Sequence, residues 1–199
     1  VGAVLTIPVV SAAVLALLPD DRTAARLNAL AALLTFVSAA VLFVERPSAG
    51  RYLIVDDLNV VFIVLSTFVG FTTSVFSGSY IAHELETGRL TPAYLRFYHA
   101  MYQALMFGMN LALLSNNVGL MWVGMEATTL LTAFLISLHV SRESLEAMWK
   151  YLLICSVAVA FAFMGTLLAA AASPRAGTPS ALLWTGLVAA APRLAPMLL

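Results

Sequence analysis

The chain has 199 residues, of which 62% are hydrophobic and only 10% are charged. Soluble domains are closer to half apolar and a quarter charged, so this composition excludes an ordinary soluble domain. Ten basic side chains balance ten acidic ones, and this neutral balance gives no indication of nucleic-acid binding. Cys155 is the single cysteine, and no CxxC pair or glycine-rich phosphate loop indicates a redox centre or a nucleotide site. We therefore expect no cofactor and no metal.

Apolar blocks about as long as a bilayer is thick follow one another along the chain, and charged or turn-forming residues close each of them. This pattern predicts an all-α fold, a polytopic bundle of transmembrane helices that forms one membrane domain over 1–199. We expect about six full spans, at Val1–Leu18, Leu27–Val44, Leu58–Ile81, Phe97–Leu114, Val118–Leu138 and Trp149–Ala172.

The connections between the spans are polar and differ in character. Pro47–Asp57 predicts a loop with a short extended piece, His83–Arg96 a charged loop, and Ser115–Asn117 a tight turn. Arg142–Lys150 is charged but helical in pattern, and Ser173–Ser180 is rich in turn-forming residues.

The C-terminal stretch is apolar but interrupted. Ala181–Ala191 is about half as long as a span requires, so we expect an interfacial or loop helix there. Leu194–Leu199 predicts the start of a seventh span. Because the chain opens on Val1 rather than on methionine and closes inside an apolar run, we expect it to be the N-terminal part of a longer domain.

Basic residues in the loops indicate the orientation. Their bias favours an N-terminus outside the membrane, as in a multi-pass protein of the cell inner (cytoplasmic) membrane. On this assignment the inner loops carry Arg22, Arg26, Arg89, Arg96, Arg142 and Lys150, and the outer ones carry Arg46, Arg51, Arg175 and Arg193.

Glu126 lies in the middle of the fifth span, where a carboxylate costs roughly 2.5–3.5 kcal/mol on insertion scales. A chain rarely carries that cost without a partner charge, a bound ion or a proton to move. Trp122, Thr129 and Leu130 lie one helical turn away on the same face. We therefore expect Glu126 to be a buried carboxylate that binds a proton or has a cationic partner. The alternative is a structural ion pair between helices.

A polar stripe marks the fourth span. His99, Gln103 and Asn110 fall at i, i+4 and i+11 and therefore share one helix face. Such a face points into a bundle or lines a hydrated path, and together with Thr129 it predicts an auxiliary polar path. The alternative is that these side chains form hydrogen bonds that hold helices together.

Lys150 stands at the entry of the sixth span, four residues after Glu146, which is the favourable order for an ion pair along one helix. A lysine at a helix end also reaches the membrane interface easily. The other interpretation is a titratable lysine near the cytoplasmic end of a proton path. On that interpretation Lys150 joins Glu126 as a candidate proton-relay residue.

A resemblance to a known family is specific over Tyr94–Gly165. Within it, Met106–Leu130 resembles spans four and five of the antiporter-like subunits of respiratory complex I. Similar subunits occur in Mrp-type cation/proton antiporters and in membrane-bound hydrogenases. The following stretch, Ser144–Ser156, resembles component F of the hydrogenase-4 and formate hydrogenlyase group.

This resemblance implies a proton-translocating membrane subunit. In the family the glutamate of span five pairs with a lysine on a broken span seven, so Glu126 matches the glutamate and the lysine is expected beyond Leu199. Lys150 matches a basic position early in span six. Trp122 and Glu126 reproduce the family's Trp-x-x-x-Glu pattern, whereas Met125 stands where many relatives carry an aromatic residue.

Three functions stay open. The first is a proton-translocating subunit of a multisubunit redox complex, either complex I-like or a membrane-bound hydrogenase. Its partners are other membrane subunits and, through them, a peripheral redox arm. The second is a subunit of a cation/proton antiporter without a redox partner, which moves protons or sodium. The third is a structural membrane scaffold in which Glu126 only holds helices together.

Overall fold

The computed structural model describes residues 1–18, 20–87, 92–138, 141–172, 182–189 and 191, without the side chains at 21, 85, 86, 92, 93, 95 and 96. Two expected features, the break at Ser173–Ser180 and the start of a seventh span at Leu194–Leu199, lie outside these residues. The loop arginines Arg89, Arg175 and Arg193 lie outside them as well.

Within the described residues the fold is all-helical, and β-structure is limited to isolated bridges. A short helix at 184–189 falls within the stretch expected to be an interfacial or loop helix. The long helices of the described ranges are α1 Gly2–Leu17, α2 Asp21–Val41, α3 Asp57–Glu86, α4 Pro92–Leu114, α5 Val118–Ile136 and α6 Arg142–Ala172.

Several helix ends differ from the expected spans for local reasons. α2 begins earlier because Asp20 caps it, with a carboxylate oxygen that accepts from the backbone N–H of Thr23 at 3.2 Å. The charged loop expected over His83–Arg96 is shorter, because α3 continues to Glu86 and α4 already begins at Pro92. Proline suits the first position of a helix, where the chain needs no N–H donor. The charged stretch before the sixth span likewise belongs to α6.

Four helices in the described part of the chain, α2, α3, α5 and α6, are long and apolar enough to cross a membrane. α1 is apolar but has 16 residues, and α4 has 23 residues but carries the polar stripe. The prediction of an all-helical membrane protein is therefore confirmed, whereas the count of six spans stays a prediction.

α4 lies at the centre of the bundle and packs against α1, α2, α3 and α5, while α6 packs against α5. Polar side chains turn inwards: His99 and Gln103 are fully buried, whereas Phe76 and Ile154 are 77% and 71% exposed. This distribution is the reverse of that in a soluble protein. It suits a bundle whose outer surface meets lipid.

One end of the bundle is held together by hydrogen bonds between its loops, and we call it the bridged end. Leu53 forms an isolated bridge with Ser115, and the N–H of Ile54 donates to the carbonyl of Leu114 at 2.8 Å. The short extended piece expected within Pro47–Asp57 is therefore present, and it lies along the turn between α4 and α5.

Asn116 joins three segments at the bridged end. Its Nδ2 donates to the carbonyl of Gly50 at 2.7 Å, and its Oδ1 accepts from the N–H of Thr185 at 3.2 Å. Its backbone carbonyl accepts from the N–H of Trp184 at 2.7 Å. The turn expected at 115–117 thus fixes both the 50–54 loop and the helix at 184–189.

Candidate functional site

α5 approaches α4 through small residues. A Cβ on Gly124 would stand 2.8 Å from the backbone nitrogen of Ala112 on α4. A Cβ on Gly108 of α4 would stand 3.1 Å from Cγ2 of Thr128. Small side chains allow this close packing between membrane helices. Gly124 and Thr128 therefore mark the side of α5 that faces α4.

Glu126 lies on the opposite side of α5. A helix turns by about 100° per residue. Glu126 is two residues after Gly124 and two before Thr128, so it lies about 160° around the helix from each of them. Its side chain is partly buried. Among the described residues none forms a hydrogen bond or an ion pair with its carboxylate. The cationic partner that the sequence led us to expect is thus not among these side chains.

Trp122, one turn before Glu126, lies against α6. The centre of its ring is 4.5 Å from that of Phe163. Its Nε1 is buried and has no hydrogen-bond partner among the described residues. Helical side chains lean towards the N-terminus, so Glu126 leans towards the turn that carries Trp122. Glu126 and Trp122 thus share one face of α5, and Trp122 is the residue of the pair that contacts α6.

Thr129 belongs to the same contact. It is buried, its hydroxyl donates to the carbonyl of Met125 at 3.1 Å, and it lies beside Tyr151 of α6. Tyr151 also lies beside Thr132. The sequence offered no signal for this aromatic hydroxyl, because its partners are on another helix.

The polar stripe of α4 points into the bundle and away from Glu126. His99, Gln103 and Asn110 are all fully buried. Nε2 of Gln103 donates to the backbone carbonyl of Asn28 at 3.1 Å and to its Oδ1 at 2.8 Å. The structure therefore separates the stripe, which meets α2, from Thr129, which meets α6. Asn28, the partner of the stripe on α2, was missed in the sequence analysis. The signal for it was a lone amide among the apolar residues of that helix.

Lys150 is exposed and pairs with its own helix. Its Nζ lies 2.5 Å from Oε1 of Glu146, and the two side chains are 70% and 63% exposed. Trp122 and Phe163 lie at one level of the antiparallel helices α5 and α6. Lys150 precedes Tyr151, which lies beside Thr129 and Thr132, so it lies beyond Glu126 along the helix axes, away from the bridged end. The structure does not bring the two candidate relay residues together.

In the described ranges, histidine, cysteine, aspartate and glutamate side chains form no cluster of three or more that could hold a metal ion. Cys155, a free cysteine, lies beside Tyr151. The described part of the site thus brings together the partly buried carboxyl-bearing residue Glu126 of α5 and the α5–α6 contact that Trp122 and Thr129 form.

The chain is similar to the hydrogenase-4 component F homolog of Methylacidiphilum infernorum (isolate V4). The two sequences are 46% identical over 188 residues, which make up 94% of this chain and 40% of the relative. The chain thus spans about two fifths of the length of that relative. No protein-family model matches the chain. The similarity confirms the family resemblance of Tyr94–Gly165 and extends it over almost the whole sequence.

Proposed function

We propose that this chain, a relative of hydrogenase-4 component F among the antiporter-like membrane subunits, carries part of a proton path with Glu126 as its relay. One observation carries the proposal: Glu126 lies in the middle of α5 with no partner in the described part of the chain. Removal from water favours the neutral form of a carboxylate, and a nearby cation favours the charged form. Small movements of such a cation therefore load and unload the proton.

Lys150 has a subordinate role in this proposal. It lies on the side of Glu126 away from the bridged end, and its side chain is 70% exposed. It feeds the relay from that end without touching Glu126.

The remaining polar residues form an auxiliary path in two separate parts. Thr129 belongs to the α5–α6 contact beside the relay, while His99, Gln103 and Asn110 line the interior of the bundle.

The proposed setting is a multisubunit redox complex. The relative is described as a homolog of a hydrogenase component, which favours such a complex over a cation/proton antiporter. The partners are other membrane subunits and, through them, a peripheral redox arm. The chain is proposed to cross the cell inner membrane six times with its N-terminus outside, and the redox chemistry takes place on other subunits.

The test uses the full-length subunit assembled in its complex. Glu126→Gln keeps the shape of the side chain but cannot release a proton, so the protons moved per electron should fall while the complex still assembles. Glu126→Asp should retain more activity, because it keeps the acid and shortens its reach. The measurement is proton uptake per electron in reconstituted vesicles, with assembly checked by co-purification.

Glu146→Gln is the matched control, since it makes the same chemical change at an exposed glutamate. If Glu126→Gln moves as many protons per electron as the wild type does, Glu126 is not the relay, and the structural-scaffold function is supported. Sodium uptake in place of proton uptake, without electron transfer, supports the antiporter.

A further inference from the structure

Four buried polar side chains lie inside the bundle without using all their hydrogen-bonding atoms. Asn28 on α2 and His99, Gln103 and Asn110 on α4 have no exposed surface. They lie on the interior side of α4, whereas Glu126 lies on the far side of α5. The group therefore lies apart from the Glu126 carboxylate, although three of its members belong to the auxiliary path proposed above.

Direct hydrogen bonds satisfy only part of the group. Gln103 donates twice to Asn28, and Nδ2 of Asn110 donates to the carbonyl of Met106 at 2.8 Å. Within the described residues, partners are missing for Nδ2 of Asn28, Oε1 of Gln103, Oδ1 of Asn110 and both ring nitrogens of His99. A buried donor or acceptor that is left unpaired has lost its hydrogen bonds to water without replacement, so a native bundle supplies partners for these atoms.

The chemistry of these atoms selects the ligand. A cation needs acceptors only and an anion needs donors only. This group offers a donor on Asn28, acceptors on Gln103 and Asn110, and one of each on a neutral His99. Water is the small ligand that both donates and accepts, and buried waters typically make about three hydrogen bonds to such groups.

Met106 divides the group into two parts. It lies between Gln103 and Asn110 on α4 and is buried. Its side chain packs against Gly70 of α3, where a Cβ would clash with the Met106 Cε. Gln103 and Asn110 are separated by roughly 10 Å along the helix, and Met106 places an apolar thioether on the same helix face between their positions.

We infer that the interior of the bundle holds two internal water sites, one among Asn28, His99 and Gln103 and one at Asn110, and that Met106 keeps them apart. The first site lies on the side away from the bridged end and the second lies near it. Met106 is thus the barrier that prevents a continuous file of water along α4.

The first experiment is a structure of the whole complex at a resolution that shows ordered water. Solvent density is expected within hydrogen-bonding distance of Gln103 Oε1 and Asn28 Nδ2, and separately of Asn110 Oδ1, with none beside the Met106 sulfur. Finding these atoms in contact with protein atoms only overturns the water sites.

The second experiment tests the barrier. Met106→Gln keeps the length of the side chain but makes it polar, so it should join the two sites. The passive proton permeability of vesicles containing the complex should then rise several-fold in the absence of electron transfer. Two control variants should leave the passive proton permeability at the wild-type value. They are Met106→Leu, which stays apolar, and Met109→Gln, which lies elsewhere on the same helix. An unchanged permeability in Met106→Gln overturns the role of Met106.

A third measurement separates water from a cation. Replacement of sodium by choline should shift the thermal midpoint of the wild-type complex and of Gln103→Met equally. Stabilisation by sodium that Gln103→Met loses would identify a cation site and overturn the water assignment. These readouts need no electron transfer. A failure of the water sites can therefore be distinguished from a failure of the relay at Glu126.

Discussion

Gly124 of α5 lies so close to Ala112 of α4 that a Cβ at position 124 would stand 2.8 Å from the Ala112 nitrogen and 3.0 Å from its Cα. The atoms in the way belong to the backbone of α4, so they cannot move aside as a flexible side chain can. This contact fixes which side of α5 meets α4, and with it the opposite placement of Glu126.

Gly124→Ala should therefore destabilise the subunit. Overpacking typically lowers the free energy of unfolding by about 1–3 kcal/mol, and the better helix propensity of alanine offsets about 1 kcal/mol of that. Gly165→Ala on α6 is the control, because a Cβ there meets nothing within 4 Å. The measurement is denaturant unfolding of the full-length protein in detergent. Equal stability of the two variants would refute the tight contact.

Asn116→Ala should loosen the bridged end without unfolding the bundle. The change removes the side-chain bonds to Gly50 and Thr185 but leaves the backbone bonds of residue 116 in place. Hydrogen exchange should become faster at the amide of Thr185 and around 50–54. Ser115→Ala is the control, since its hydroxyl donates to the carbonyl of Leu111 near the end of α4 and to neither of the segments that Asn116 joins. Unchanged exchange in Asn116→Ala contradicts the joining role of its side chain.

Lys150→Ala should reduce proton pumping, but less than Glu126→Gln does. The lysine is exposed and pairs with Glu146, and exposed pairs contribute below about 1 kcal/mol to stability. Assembly should therefore be normal, and Glu146→Ala, which removes the same ion pair but keeps the lysine, should pump normally. Proton uptake per electron checks both variants. Pumping at the wild-type level in Lys150→Ala would leave only the interfacial role for this residue.

Single cysteines should report the orientation in intact cells. In a Cys155→Ser background, Ala49→Cys lies in an exposed loop of the bridged end and Thr87→Cys lies at the opposite end. With the N-terminus outside, an impermeant thiol reagent should label Ala49→Cys and spare Thr87→Cys until the membrane is opened. The reverse labelling pattern contradicts the proposed orientation.

Local patterns in the sequence were enough to predict the helices and the inward stripe of α4, because apolar length and helical spacing involve near neighbours. They were not enough for what depends on contacts between distant residues. Gln103 meets Asn28 across 75 positions, and Trp122 meets Phe163 on another helix. The start of α4 at Pro92 was missed because charged residues obscure the end of an apolar span. The relay roles of Glu126 and Lys150 stay predictions.

The bridge between Asn117 and Leu183 ties the start of α5 to the segment at 182–189. The N–H of Val118 donates to the carbonyl of Leu182 at 2.9 Å, just where α5 begins. Glu126 lies roughly 12 Å further along α5. The length of α5 from this bridge therefore sets how far below the bridged end Glu126 lies.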